Sequence, residues 1–281
     1  IIELEKIFLI ENPDFVLLYG DTNSTLSGAI IASKLNIPII HVEAGLRSYN
    51  TKMPEEINRI LTDHTSNILF APTQTAENNL ISEGVSKDKI HYVGDIMFDA
   101  KKIFSNRSRQ PKDFNYSFKN NFYLLTIHRQ ENISDIKRLN IIFDSLRDSQ
   151  KDFIMPLHPN TRKIIKNHDL VLPSNINIID PVSYLEMLWL LENCQKVVTD
   201  SGGLQKEAYF HNKYCITLRE ETEWTETVTA GVNVIVGVNK KLILKELNRE
   251  ITETKLFNGT LYGDGNSSKL MISVIKKYFK I

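Results

Sequence analysis

Cysteine is scarce in this chain: only Cys194 and Cys215 occur among 281 residues. Neither lies in a metal or redox spacing, which argues against a disulfide framework or a thiolate metal centre. Both read as buried core thiols, and the cytoplasm is the expected compartment. Net charge is also lacking, since Lys and Arg number 34 and Asp and Glu number 34. A nucleic-acid binder would carry a basic excess, so no nucleic-acid partner is expected, although a local basic patch for a small anion stays compatible. No apolar run approaches the ~20 residues of a membrane span, and no secretory leader is visible. No histidine pair has ligand spacing, so no catalytic metal and no metal cofactor is expected. There is neither a Gly-x-Gly-x-x-Gly after a first strand nor a Walker lysine loop, which argues against a redox dinucleotide or ATP. The amphipathic opening (Ile1, Ile2, Leu4, Ile7, Phe8) reads as mid-domain, and a preceding N-terminal part is expected to be missing.

What is present is alternation. Short apolar runs (15–19, 37–42, 68–72, 90–93, 122–127, 153–157, 176–179, 196–199, 215–218 and 234–236) are separated by amphipathic stretches such as 25–35, 55–63, 75–82, 136–149 and 184–191. Runs without two-residue alternation suit parallel strands buried on both faces, and such alternation gives an open α/β sheet. The polar, turn-rich segment 105–113 reads as a boundary. Two Rossmann-like domains are expected, 1–110 and 111–265, meeting near 105–118 and facing a central cleft, with a final helix in 266–281 able to pack on either.

Ligands of such sheets bind beyond the carboxyl ends of the strands, so the polar residues just after each run are the candidates. The most informative is Thr199-Asp200-Ser201-Gly202-Gly203, where a strand feeds a helix through small residues. Exposed N–H groups at a helix start favour an anion, and glycine allows a phosphate close approach. Glu207, one turn further on, suits a ribose diol. A plain capped helix start is the bland alternative. Arg129, His158 and Arg219 at neighbouring strand ends would complete a diphosphate cradle. His128 also sits at a strand end. His128 and His158 stay open between structural and functional readings, whereas His41, His64, His91, His168 and His211 read as structural. In the first half, Asp21, Glu43 and Glu55 could converge, with Arg47 and Arg59 as partners; clustered carboxylates suit proton transfer. Helix capping would account for Asp21, and favourable charge at a helix N-terminus for Glu55 and Glu56, but neither suits Glu43, which ends an apolar strand. A nucleotide held by the second half points to nucleotide-sugar chemistry.

The strings HVEAGLRS, MPEEINRILTDH, GDIMFDA, HRQEN, VTDSGGLQKEA and LREETEW, in this order, resemble the non-hydrolysing UDP-N-acetylglucosamine 2-epimerase family over essentially the whole chain. The resemblance implies a two-Rossmann architecture shared with one large glycosyltransferase class (GT-B-like) and a homodimer. It also implies C2 epimerisation by elimination of UDP to a 2-acetamidoglucal and re-addition on the opposite face. It matches the functional acids to Asp21, Glu43 and Glu55, the imidazole near the sugar nucleotide to His158, the phosphate turn to Ser201, Gly202 and Gly203, and the ribose carboxylate to Glu207. Family members begin with a strand and a glycine loop carrying an arginine and a lysine, a region that precedes this sequence. Where many have Glu-Arg-Pro-Glu, this chain has Glu223-Trp224-Thr225-Glu226, a form resembling relatives that act on other UDP-sugars, including diacetamido uronic acids. Competing readings are a hydrolysing epimerase, a glycosyltransferase of the same architecture and a nucleotide-sugar binding subunit.

Overall fold

A computed structural model describes residues 1–116, 121–251, 257 and 260–281. The end of the expected linker, 117–118, lies outside the described residues. In the first half the order is α1 (Ile2–Glu11), β1 (Val16–Tyr19), α2 (Asn23–Lys34), β2 (Ile39–Val42), α3 (Pro54–Thr65), β3 (Ile68–Ala71), α4 (Gln74–Ser82), β4 (Ile90–Tyr92) and α5 (Ile96–Phe104). There follow β5 (Tyr123–Thr126), α6 (Gln130–Ile133), α7 (Ile136–Ser149), β6 (Phe153–Pro156), α8 (Pro159–Asn167), β7 (Ile176–Ile179), α9 (Tyr184–Asn193) and β8 (Lys196–Thr199). The chain continues through α10 (Gly202–Phe210), β9 (Tyr214–Thr217), α11 (Thr225–Thr229), β10 (Asn233–Ile235), α12 (Lys240–Asn248) and α13 (Ser267–Phe279). Every strand falls on one of the apolar runs named above.

Packing divides the chain into two units, Ile1–Ala100 with Thr260–Ile281, and Lys101–Gly259. The sequence expectation set the limits at 110 and 265; contacts set them at Ala100 and Gly259. The C-terminal helix, unassigned from sequence, belongs to the first unit. Met271 packs with Ile40, Val42 and Phe70, and Phe279 stacks on Phe15 with ring centroids 4.7 Å apart. Asp99, 4% exposed, accepts the backbone N–H groups of Ser267 (3.0 Å) and Ser268 (2.8 Å) and the Ser268 hydroxyl (2.7 Å). These are orphan donors of the α13 start, satisfied by a carboxylate from another helix.

Both sheets are wholly parallel. The first runs β1-β2-β3-β4 and the second β10-β9-β8-β5-β6-β7. In the second, helices cover both faces, and successive residues of β5 part accordingly. Tyr123 and Leu125 join one core cluster with Phe143, Phe153 and Val198. Phe122 and Leu124 join another with Ile154, Trp189 and Val197. Burial on both faces accounts for the continuous apolar runs. Cys194 and Cys215 are buried within this unit, their thiols pushed up to about 12 by burial.

Helix starts carry local signals. Thr22 accepts the Thr25 N–H at the start of α2, Pro54 opens α3, and Ser183 with Glu186 forms a capping box on α9. Among the described residues no helix is long and apolar enough to cross a membrane.

Candidate active site

The order of the second sheet reverses between β5 and β8: the chain first builds outward through β6 and β7, then returns through β8 to β9 and β10. A crevice opens at such a reversal, beyond the carboxyl ends of the two strands. His128 and Arg129 follow β5 there, and Asp200 and Ser201 follow β8. Thr126 and Thr199 are register partners and their hydroxyls lie 2.5 Å apart, closing the pair.

Asp200 ties this point together. It is fully buried and accepts from the backbone N–H of His128 (3.0 Å), that of Arg129 (3.0 Å) and the Asn132 amide (3.1 Å). Asn132 in turn donates to the Leu218 carbonyl at the end of β9. A carboxylate accepting several N–H groups makes strong charge-assisted bonds. Three strand ends are thereby locked to one side chain.

The Ser201 turn opens α10. The Ser201 side chain makes no capping bond, so plain helix capping does not account for its presence. The two glycines differ. A side chain on Gly202 would collide with the Glu223 carboxylate and come within 3.6 Å of Arg129 Nη2. A side chain on Gly203 would meet nothing within 4 Å among the described residues. Gly202 is therefore required by the protein itself, and Gly203 leaves the helix tip open to an incoming group. Arg219, 2% exposed, donates from Nη1 to Glu223 (2.9 Å), while its buried Nη2 has no hydrogen-bond partner among the described residues. Glu223 thus holds Arg219 from one side and leaves a guanidinium donor for an anion. Glu207, half-buried, lies one turn into α10.

The His128 and His158 rings stack with centroids 5.5 Å apart. Burial pushes the His128 imidazole down, with Asp200 opposing. His158 caps α8: its Nδ1 accepts the Asn160 N–H at 3.2 Å. That bond assigns the proton of a neutral His158 to Nε2, leaving it as a donor. Trp224 is 3% exposed, and the Lys206 ammonium lies 4.6 Å from its ring centroid.

In the first unit, Asp21 follows β1 and Glu43 follows β2, adjacent strands of one sheet. Arg59, 2% exposed, grips Asp21 with Nε (2.9 Å) and Nη2 (2.8 Å). Asn58 donates to the Asp21 carbonyl at 2.8 Å. These bonds bring the start of α3, and with it Glu55, to the end of β1. Glu55 and Arg59 lie four apart, on one face of α3. Glu43 has φ +73. The left-handed region is uncommon outside glycine and asparagine. The other such residues here mostly end helices, whereas Glu43 ends a strand. Its Oε2 lies 3.7 Å from where a Gly20 side chain would begin. The backbone thus holds this carboxylate in a strained conformation at a strand end.

One expectation is corrected. Arg47 does not pair with Asp21, Glu43 or Glu55. It donates to Asp63 (2.7 Å), to both oxygens of Glu83 (2.6 and 2.7 Å) and to the Leu46 carbonyl (2.7 Å). Four of its N–H donors are consumed, so it ties its loop to Asp63 and Glu83. Glu56 reads from sequence only as favourable charge at a helix start. This residue, 1% exposed, accepts from the Ser48 and Tyr49 N–H groups (both 2.9 Å) and from Arg59 (2.8 Å). The signal was available, since Glu56 and Arg59 are spaced i, i+3 on a helix. Asp200 had a weaker one: it is the residue immediately before the turn. Nothing in sequence spacing announced Asp63, which His41, Gly45 and Arg47 all contact.

Among the described residues no group of three or more His, Cys, Asp or Glu could hold a metal ion. The UDP-N-acetylglucosamine 2-epimerase family model matches residues 1–276. The UDP-2,3-diacetamido-2,3-dideoxy-D-glucuronate 2-epimerase of Pseudomonas aeruginosa is 46% identical over 282 residues, 99% of this chain and 78% of that protein. The crystal structure of Methanocaldococcus jannaschii UDP-GlcNAc 2-epimerase in complex with UDP-GlcNAc and UDP matches at TM-score 0.89 and 41% identity, covering 98% of this chain and 79% of that one. That of the Neisseria meningitidis enzyme bound to UDP-GlcNAc matches at 0.85 and 33%, covering 98% and 79%. On these grounds the chain belongs to the UDP-N-acetylglucosamine 2-epimerase family, a family of isomerases.

Proposed function

We propose that the protein inverts C2 of a UDP-linked 2-acetamido sugar by eliminating and re-adding UDP. A carboxylate of the first unit removes the C2 proton as the C1–oxygen bond breaks. The electron pair of that bond leaves on the diphosphate oxygen, and a C1=C2 double bond forms. Return of a proton to the other face of C2, with attack of the diphosphate oxygen on C1, gives the epimer. One carboxylate per face is the economical arrangement, and Asp21, Glu43 and Glu55 are the candidates. The departing diphosphate develops negative charge. The open tip of α10 at Ser201 and Gly203, the Arg219 guanidinium and Arg129 are suited to stabilise it. His158 contributes a donor from Nε2, His128 stacks against it, and Glu207 accepts from the ribose hydroxyls. Arg59 keeps Asp21 oriented.

The observation that carries this reading is the strained Glu43 over Gly20, beside an Asp21 gripped by Arg59, in a chain whose other unit offers an anion site at its topological reversal. UDP-GlcNAc, converted to UDP-ManNAc, is the first substrate to offer. A UDP-diacetamido uronic acid is the second, favoured by Trp224 and by the 46% identity with the Pseudomonas relative. Each is incubated with the full-length protein and followed by proton NMR. Growth of the C2 epimer, still linked to UDP, is expected for one of them. Stoichiometric free sugar would instead make the protein a hydrolysing epimerase. Transfer only in the presence of an acceptor would make it a glycosyltransferase.

A further inference from the structure

We propose that His41 is a positioning residue for the C2 chemistry: as a buried imidazolium it clamps the Gly20 carbonyl and so fixes the strand ends that carry Asp21 and Glu43. This inference rests on the functional reading above and deepens it.

His41 lies in the middle of the first sheet, between Leu18 of β1 and Leu69 of β3, and is fully buried. Its Nδ1 is 2.6 Å from Asp63 Oδ1 on α3, and its Nε2 is 2.8 Å from the Gly20 carbonyl at the end of β1. A carbonyl can only accept. Asp63 accepts on Oδ2 from the Gly45 N–H (3.1 Å) and from the Arg47 guanidinium (2.7 Å), and although burial alone would raise it, its charged partners hold it below the usual carboxylate range, so it is a carboxylate. Both ring nitrogens therefore face acceptors. A neutral imidazole would set a lone pair against one of them; the doubly protonated ring satisfies both. The charged groups around it are Asp63 on α3, Glu43 at the end of β2 and, beyond Asp63, Arg47 with Glu83. Burial lowers the imidazole pKa, yet Asp63, the Gly20 carbonyl and Glu43 together raise it above the usual 6.5.

The consequence for the site is local. Gly20 has φ +64 and directly precedes Asp21. The Glu43 carboxylate lies against that same glycine. One cation thus holds the peptide between the two acids and attracts one of them. His41 touches no substrate position; it acts through Gly20, Asp21 and Glu43.

The test compares the full-length protein with His41→Gln, whose amide can still donate to Gly20 but carries no charge. Nitrogen-15 NMR of the parent should show both His41 ring nitrogens protonated at pH 7. The variant should lose at least about tenfold in kcat, with KM and UDP affinity within about threefold, the signature of an interaction that matters at the chemical step. The parent's kcat should fall on the alkaline side along the His41 titration, and the variant should lack that limb. A neutral His41 at pH 7, or a variant with parental kcat per folded molecule, overturns the inference. Should the variant fail to fold, a parental kcat that ignores the His41 titration overturns it equally. A parent that binds UDP-sugar yet never epimerises it sinks the functional reading itself, and this inference with it.

Discussion

At the scale of the residue, identical side chains in neighbouring positions do different work. Gly202 and Gly203 read alike in sequence as room for a phosphate. Structure separates them, because Glu223 fills the space a Gly202 side chain would need. Gly202→Ala should therefore lower the melting temperature and displace Glu223 and Arg219. Gly203→Ala should leave the melting temperature unchanged or slightly raised, since alanine favours a helix by up to ~1 kcal/mol, while weakening UDP binding at least about tenfold by calorimetry. Equal loss of stability in both would refute the distinction. Glu55 and Glu56 form a second such pair. Glu56→Gln strips a buried partner from Arg59 and the Ser48–Tyr49 loop and should cost about 3 kcal/mol in urea unfolding, as broken buried pairs do. Glu55→Gln should unfold like the parent and lose turnover. Sequence spacing picked Glu55 because its residue type and place matched proton transfer. The i, i+3 spacing pairs Glu56 with Arg59, but that Glu56 also turns inward to the Ser48–Tyr49 loop depends on helix phase relative to that loop, a tertiary fact.

At the scale of the element, capping carboxylates reach across the chain. Asp99 satisfies the start of α13 from α5, a separation of 168 residues to Ser267. Asp99→Ala should cost about 1–2 kcal/mol, the upper range of a lost helix cap. Limited proteolysis should release the C-terminal helix first; unchanged protection would contradict the assignment. The strands were legible from sequence because double-sided burial writes unbroken apolar runs such as Phe122–Ile127. The helices were legible from their amphipathic stretches and, at Pro54, from a proline in the first turn; that Thr22 rather than Asp21 caps α2 came from structure. Strand order was not legible. Nothing in the string says that β8 lies beside β5, and so the reversal that places Ser201 next to His128 had to come from structure. The same blindness explains Arg47: from sequence it is a plausible partner for the strand-end acids, while the carboxylates it binds lie 16 and 36 residues away.

At the scale of the whole molecule, buried titratable groups set how stability follows pH. Asp63 and Asp99 are held below the ordinary 3.8 by His41 and Arg47 in one case and by the Ser267–Ser268 donors in the other. Their contributions are complete above 3.8 and vanish as pH falls through the folded values. His211 is pushed down to about 4 by burial, so stability also gains as pH rises from 4 toward 6.5. His41 works in the opposite sense. Its raised pKa gives a contribution complete below 6.5 and lost as pH climbs through the folded value. Urea midpoints should therefore rise from acid toward pH 6.5. The stability difference between the parent and His41→Gln should shrink as pH rises beyond it. A difference constant from pH 5 to 9 would contradict an imidazolium at this position.

Proton traffic at C2 distinguishes carboxylate-driven elimination from its alternatives most directly. The full-length protein is incubated with its UDP-sugar in deuterated water, and the recovered substrate and product are examined for label. Deuterium at C2 of both, with incorporation abolished in Glu43→Gln while UDP binding persists, is the predicted result. Epimer formed without deuterium at C2, or exchange undiminished by Glu43→Gln, would contradict the carboxylate-driven elimination assigned to these strand ends.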